Sequence, residues 1–443
     1  MDRPLSQEKK TKPVFLKHRP NKQVIAWALY DWANSGYATT VMVAFFPMFF
    51  KQYWSADSDV TVSTFQFGVT NSLASLVVMA LSPILGALAD KFGAQKRFLL
   101  FFTSLGVLAT GLLYYVTKGH WFMAATLYAL SSIGFMGGIT FYNALLVSIA
   151  EHKELHQVSA FGFALGYLGG GLLFALNLLM LMQPSFFGLQ DSTEAVRFSF
   201  VSVSLWWAVF AVPLFLFVRE PVVAYPLPGK AAIRAGLQEL GTTLREIRHF
   251  PAILLFLLAY FLYIDAADTI AVMAVDYGMA MGFEANSLLL ALLITQGISF
   301  PSALAFGWIG DQFGPKTGIF IGIGVYMVVT VYAFFMDTAG EFYVLAAAIG
   351  LVQGGLQSLS RSLFACIIPR HKAGEFFGFY NMWSKFSVVI GPALVGWVSV
   401  TTGNPRYSIL VILVLFVAGA SFLHFVNVEK AEQIARESAP PAS

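Results

Sequence analysis

The sequence predicts an all-α integral membrane protein of twelve transmembrane helices, arranged as two six-helix repeats. Three observations carry that expectation: a composition too apolar for a water-facing surface, twelve continuous apolar runs, and basic residues gathered on one side. Of 443 residues, 57% are hydrophobic and 12% charged, and the mean hydropathy is +0.70. Soluble domains are about 45–50% apolar and about 25% charged. So few charges cannot cover a surface in water, which excludes an ordinary soluble enzyme, a disordered chain and a nucleic-acid-binding protein. The single cysteine, Cys366, excludes an internal disulfide and a multi-cysteine metal site. No metal and no cofactor are expected.

The elements follow in chain order. Residues 1–23 are polar and basic and form a cytoplasmic N-terminal segment. The next run, 24–50, is far longer than the roughly 7–15 residues of a signal-peptide core, so it reads as a retained span. A span needs about 20 apolar residues to cross about 30 Å of hydrocarbon. By that measure the runs are 24–50, 63–89, 98–117, 121–150, 158–183, 197–218, 251–277, 285–309, 317–336, 341–368, 376–401 and 406–427. The first six make an N-terminal bundle, 24–218, and the last six a C-terminal bundle, 251–427. Between them lies a cytoplasmic linker, 219–250, which opens with Pro221, Pro226 and Pro228 and continues as a basic, amphipathic stretch. A cytoplasmic tail, 428–443, closes the chain. The runs lack the alternation of barrel strands, which favours helices.

Orientation follows from the excess of Lys and Arg that cytoplasmic loops carry. With the N-terminus inside, 21 of the 27 Lys and Arg fall on cytoplasmic segments, and only Lys51, Lys118, Arg197 and Arg406 fall outside. Arg361 and Lys385 lie within spans. This split supports both the count of twelve and the cytoplasmic placement of both termini.

The two halves echo each other. Span 2 ends in a turn holding Gly86, Asp90, Phe92, Gly93, Lys96 and Arg97. Span 8 ends in one holding Gly307, Asp311, Phe313, Gly314 and Lys316. Gly, Asp, Phe and Gly recur at one offset, and a short turn with both charges can lock or release packed helix ends. Repeated halves joined by a central loop point to a transporter whose halves rock around a site near the midplane. This Gly-x-x-x-Asp-x-x-Gly-x-x-Lys/Arg turn after span 2, echoed after span 8 with Lys316 one place nearer the glycine, resembles the loop signature of the major facilitator superfamily. Finer motifs resemble one branch, the vacuole-effluxer-like permeases once called the "unknown major facilitator" family. They are Tyr30-Asp31-Trp32-Ala33-Asn34-Ser35, Phe141-Tyr142-Asn143-Ala144-Leu145, the Phe163-to-Gly170 stretch, the Gly354-to-Ser362 stretch and Phe376-Phe377-Gly378-Phe379-Tyr380-Asn381. Val147 stands where that family's pattern places a proline. The resemblance covers nearly the whole chain. It implies the major facilitator fold and a secondary carrier, with spans 1, 4, 7 and 10 lining a central cavity. For fungal relatives it implies amino-acid efflux from a vacuole, and for bacterial-looking members it leaves the substrate open.

Polar groups inside the spans mark the candidate site. A charge at a helix centre costs about 2.5–3.5 kcal/mol on insertion scales and usually faces a cavity. Asp31, Asp265, Asp268, Arg361 and Lys385 are so placed, and must be paired or hydrated. Asp265 and Asp268 are three residues apart and share a helix face. Two close carboxylates repel, which makes the pair a candidate for proton coupling. Gln353, Gln357 and Arg361 form a stripe on span 10, where Arg361 offers a forked donor for a carboxylate or phosphate, or a gate salt bridge. Asn381 and Lys385 form a second stripe on span 11, suited to an anionic group or to a pair with Asp265 or Asp268. Tyr30, Asp31 and Asn34 on span 1 either line the cavity or, at Asp31, partner Arg361. Asn143 and Tyr142 add an amide and a hydroxyl from span 4. Trp32 and Trp383 could stack on a ligand or serve packing. Gating belongs to the motif turns: Asp90, Gly93, Lys96, Arg97, Asp311, Gly314 and Lys316.

Charges of both signs in the membrane favour a zwitterionic small-molecule substrate, an amino acid or short peptide, with protons as coupling ion. An exporter of organic anions or drugs is the alternative, and a membrane sensor or lipid-moving protein the non-transport alternative. An enzyme is disfavoured, because the chain carries neither a His-Glu-x-x-His pattern nor a Gly-x-Ser-x-Gly elbow. The expected partners are the lipid bilayer and substrate, with no nucleic acid, in a monomer. Short loops and the absence of Asn-x-Ser/Thr acceptors fit a bacterial inner membrane.

Overall fold

The computed structural model describes residues 20–220, 238, 240–243, 245, 250–402 and 405–437. Residues 1–19 of the basic N-terminal segment, most of the linker and the last six residues of the tail lie outside the described residues. Helix α1 (Lys22–Gly36) starts where the Asn21 side chain accepts a hydrogen bond from the Gln23 amide at 3.2 Å. It continues without a break through a π-helical stretch (Tyr37–Phe45), one α-turn (Phe46–Phe49) and a second π-helical stretch (Phe50–Trp54). The first half is completed by α2 (Val60–Phe92), α3 (Gln95–Leu112), α4 (Trp121–Ile149), α5 (Leu155–Met182) and α6 (Ser192–Phe217). The second half holds α7 (Pro251–Ala280), α8 (Ala285–Phe313), α9 (Pro315–Phe335), α10 (Ala339–Ile367), α11 (Ala373–Thr402) and α12 (Pro405–His424). A short amphipathic helix, α13 (Val428–Glu437), follows within the expected tail.

Each expected span thus has a helix in its place. Among the described residues, nine helices, α2 to α10, are long and apolar enough to cross a membrane, and a tenth is if α12 and α13 count as one span bent by 59°. In the most apolar stretch of each of the nine, only 33–61% of residues are buried within the protein. The outward remainder is the same apolar chemistry, which hydrocarbon satisfies and water does not.

Local chemistry sets the ends. Asp191 caps α6 through the Glu194 amide at 2.8 Å. Thr338 and Glu341 form a reciprocal capping box on α10. α2 stops at Gly93, whose φ of +57° lies in the left-handed region that a residue with a Cβ resists. Each half's second helix packs on the other half's fifth: α2 on α11, and α8 on α5. These two seams hold the halves together and leave the space between α1, α4, α7 and α10.

Candidate transport cavity

That space is a cavity of about 380 Å³. Asp31, Asn34, Asn143, Asp268, Gln353, Gln357, Arg361, Asn381 and Lys385 all line it. The span 10 stripe and the span 11 stripe therefore face the same space. Tyr30 and Asp265 are not among its lining. The Tyr30 hydroxyl shares a 2.8 Å hydrogen bond with Thr103 on α3. Asp265 accepts from the Gly391 amide of α11 at 3.0 Å and from Thr269 at 3.4 Å. Asp265 and Asp268, expected on one face, thus occupy two settings: one helix-bonded, one facing the cavity. Trp32 stacks on Trp206 at 5.6 Å, and Trp383 meets Phe261 at 5.5 Å, so both serve packing.

One layer of the cavity is built on Arg361 of α10, which is 3% exposed. Its Nη1 donates to Asp31 Oδ2 and to Asn143 Oδ1, both at 3.3 Å. Its Nε donates to Ser159 Oγ at 2.9 Å, and Nη2 to the Ser159 carbonyl at 2.8 Å. The guanidinium lies 4.2 Å from the Phe163 ring centre and 4.9 Å from that of Trp27. A cation over a desolvated aromatic face gains further attraction. The Tyr142 hydroxyl donates to Asp31 Oδ2 at 2.7 Å, while its ring stacks on Trp27 at 4.5 Å. α1, α4 and α5 of the first half thus converge on one charge from the second. Ser159, Trp27 and Gly162, at the closest approach of α5 to this pair, were not singled out by the sequence. Nothing in a serine, tryptophan or glycine within an apolar run distinguishes a cavity contact from packing.

The second charged layer holds Asp268 of α7 and Lys385 of α11, whose opposite charges attract. Tyr167 bridges the halves at this cavity by donating to Gln357 Oε1 at 2.8 Å. Asn381 Nδ2 donates to Thr140 Oγ1 at 2.8 Å and to the Met136 carbonyl at 2.9 Å, both on α4.

The motif turns form a related pair. Asp90 accepts from the Gly374 and Glu375 amides at 2.9 and 2.8 Å, at the start of α11. A carboxylate at a helix N-terminus meets unpaired amides and the positive end of the dipole. Asp311 accepts from Gln157 near the start of α5. Both aspartates therefore bond across the halves, whereas both lysines bond within their own half. Lys96 Nζ donates to the Val218 carbonyl just after α6, at 2.7 Å. Lys316 Nζ donates to the carbonyls of His424, the last residue of α12, and of Val426 just beyond it, at 2.7 and 2.9 Å. Gly93 and Gly314 take positive φ in these turns, and Arg97 is exposed. Further bonds between halves, Ser159 Oγ to the Ser358 carbonyl and His156 to Ser362, both 2.8 Å, cluster at the same end. The bundle is closed at the Asp90/Asp311 end. The cavity runs from the Arg361 layer away from it, lined there by Val43, Leu288, Phe342 and Leu345.

Fold comparison places this arrangement in one class. The human organic anion transporter MFSD10 (TETRAN) superposes with a TM-score of 0.69 at 12% identity, covering 91% of this chain and 99% of that one. The proton:xylose symporter XylE superposes at 0.67 with 13% identity, covering 93% and 97%. The fold is that of the major facilitator superfamily. The vacuole effluxer Atg22 like family model matches residues 19–436. The uncharacterized MFS-type transporter YxiO of Bacillus subtilis (strain 168) is 37% identical over 422 residues, 95% of this chain and 98% of that protein. Autophagy-related protein 22 of Yarrowia lipolytica is 24% identical, over 83% and 75% of the two chains. The chain belongs to the Atg22-like vacuole effluxer family. It is a multi-pass membrane transporter of the major facilitator type and not an enzyme.

Proposed function

We propose that this transporter carries a small zwitterionic solute, an amino acid or short peptide, by alternating access coupled to protons. One observation carries the reading: two pairs of opposite charge, Asp31–Arg361 and Asp268–Lys385, face a single cavity. A zwitterion brings one charge of each sign, so it can insert between opposite charges of the cavity, its carboxylate against a cation and its ammonium against a carboxylate, without adding net charge. An unpaired charge in such a site is costly, which makes replacement of a partner by substrate the economical route. The carboxylate of the solute would engage the Arg361 fork or Lys385, and its ammonium Asp31 or Asp268. Asp268 is the coupling carboxylate, because it faces the cavity and has a cation as neighbour. Asp265, bonded to the α11 backbone, tunes it from behind.

The same reading assigns the two halves, 24–218 and 251–427, as rocking bodies. Their closed end, marked by Asp90 and Asp311, would face the cytoplasm, as the basic loops require. On this reading the cavity opens outward, both termini lie on the cytoplasmic side of a bacterial inner membrane, and the protein acts as a monomer.

The test is counterflow uptake in proteoliposomes, with a mixed panel of radiolabelled amino acids and an imposed pH gradient. Saturable exchange stimulated by the gradient is expected. Exchange of organic anions alone, by correctly inserted protein, would move the substrate class and leave the fold untouched.

A further inference from the structure

Three donors of different chemistry meet at the Asp90/Asp311 end, away from the cavity. They are the imidazole of His152, between α4 and α5, the thiol of Cys366 on α10, and the carboxylate of Glu432 on α13. One ligand atom from each lies within 4.8 Å of the others. His152 Nε2 stands 3.6 Å from Glu432 Oε2 and, though buried, has no hydrogen-bond partner among the described residues. Cys366 is a free thiol, 4% exposed. Neither the charged layers of the cavity nor the motif turns use these three side chains.

We infer that His152, Cys366 and Glu432 form a divalent metal site suited to Zn²⁺. Imidazole, thiolate and carboxylate are the donors that ion accepts. Bonds of about 2.0–2.3 Å in a tetrahedron set ligand atoms roughly 3.3–3.8 Å apart. The His–Glu pair already has that spacing, and the thiol closes by about an ångström. The His152 and Glu432 side chains keep 39% and 24% exposure, so water can take the fourth position. Arg436 Nη2 competes for the same Glu432 oxygen at 3.3 Å, but its side chain is 69% exposed and moves readily into solvent. Binding converts the thiol to thiolate and releases its proton to water. His152 belongs to the first half, Cys366 to the second and Glu432 to the tail helix. A bound ion therefore ties all three together where the halves are already joined.

The experiment titrates tag-free, full-length protein in detergent with Zn²⁺ against a chromophoric chelator. One equivalent is expected to bind and to raise the melting temperature. His152→Gln, Cys366→Ser and Glu432→Gln should each weaken binding by at least about tenfold while melting like the wild type before zinc is added. Co²⁺-loaded wild-type protein should show thiolate-to-metal charge-transfer absorption, a readout that needs no variant. Binding that survives all three substitutions, or Co²⁺ loading without that absorption, overturns the site. So does the absence of stoichiometric binding. None of these readouts depends on the substrate.

Discussion

Arg361 holds its charge inside the bundle by spending its fork on four oxygens from three helices of the other half. Lysine keeps the charge but loses the fork and the stacking. Arg361→Lys is therefore expected to lower counterflow at least tenfold (about 1.4 kcal/mol) at equal insertion. Asp31→Ala leaves that cation without its counter-charge, and breaking a buried pair costs about 3–5 kcal/mol. That variant should melt well below wild type in a detergent thermal scan. Gly162 supplies a sharper probe. A Cβ there would come within 2.8 Å of Asp31 Oδ2 and of the Trp27 ring, and 3.0 Å of Arg361 Nη2. Gly162→Ala should push the pair apart and depress transport, measured as counterflow per correctly inserted molecule. Asp268→Asn is expected to keep exchange but abolish its stimulation by a pH gradient, since the group that takes the proton is gone. At this scale the sequence was most legible where a charge sat in an apolar run, because lipid makes Asp31 and Arg361 conspicuous. It was illegible at Ser159 and Trp27, whose chemistry fits an ordinary helix interface equally well.

At the scale of elements, the repeated turn was readable because its glycines, aspartate and phenylalanine recur at a fixed offset. What its aspartates touch was not. Asp90 and Asp311 reach across to α11 and to the start of α5, a pairing that only the packing of each second helix on the opposite fifth creates. A hydrogen bond to a charged group contributes about 1.5–3 kcal/mol. Asp90→Ala should therefore loosen the closed end, and amide hydrogen exchange at the start of α11, around Gly374 and Glu375, should quicken relative to wild type. Unchanged exchange there would mean that the α2–α11 seam holds without the carboxylate. The π-helical stretches of α1 also escaped the sequence. Apolarity shows that residues 24–50 cross a bilayer, but an unbroken apolar run has no periodicity that separates a π-helix from an α-helix.

Across the whole molecule, two halves meet at two seams and close at one end, with the Asp31–Arg361 pair bridging them and Asp268 and Lys385 facing the cavity from the second half. Most of this was implicit in the basic-loop asymmetry and the internal repeat. The state of the gate was not, because one sequence serves every conformation of a carrier. If the closed end faces the cytoplasm, the cavity mouth faces outward. Val43→Cys, at a position 37% exposed beside that mouth, should then react with a membrane-impermeant thiol reagent added outside intact cells, while the buried native Cys366 stays silent. The central claim is that the two charge pairs recognise both ends of one zwitterion. The most direct measurement compares counterflow of the best-transported amino acid with inhibition by its des-amino and des-carboxy analogues. Saturable exchange of the zwitterion is expected, with at least tenfold weaker inhibition by either analogue. Equal inhibition by the des-amino acid would contradict it, and would make the cavity a site for anions.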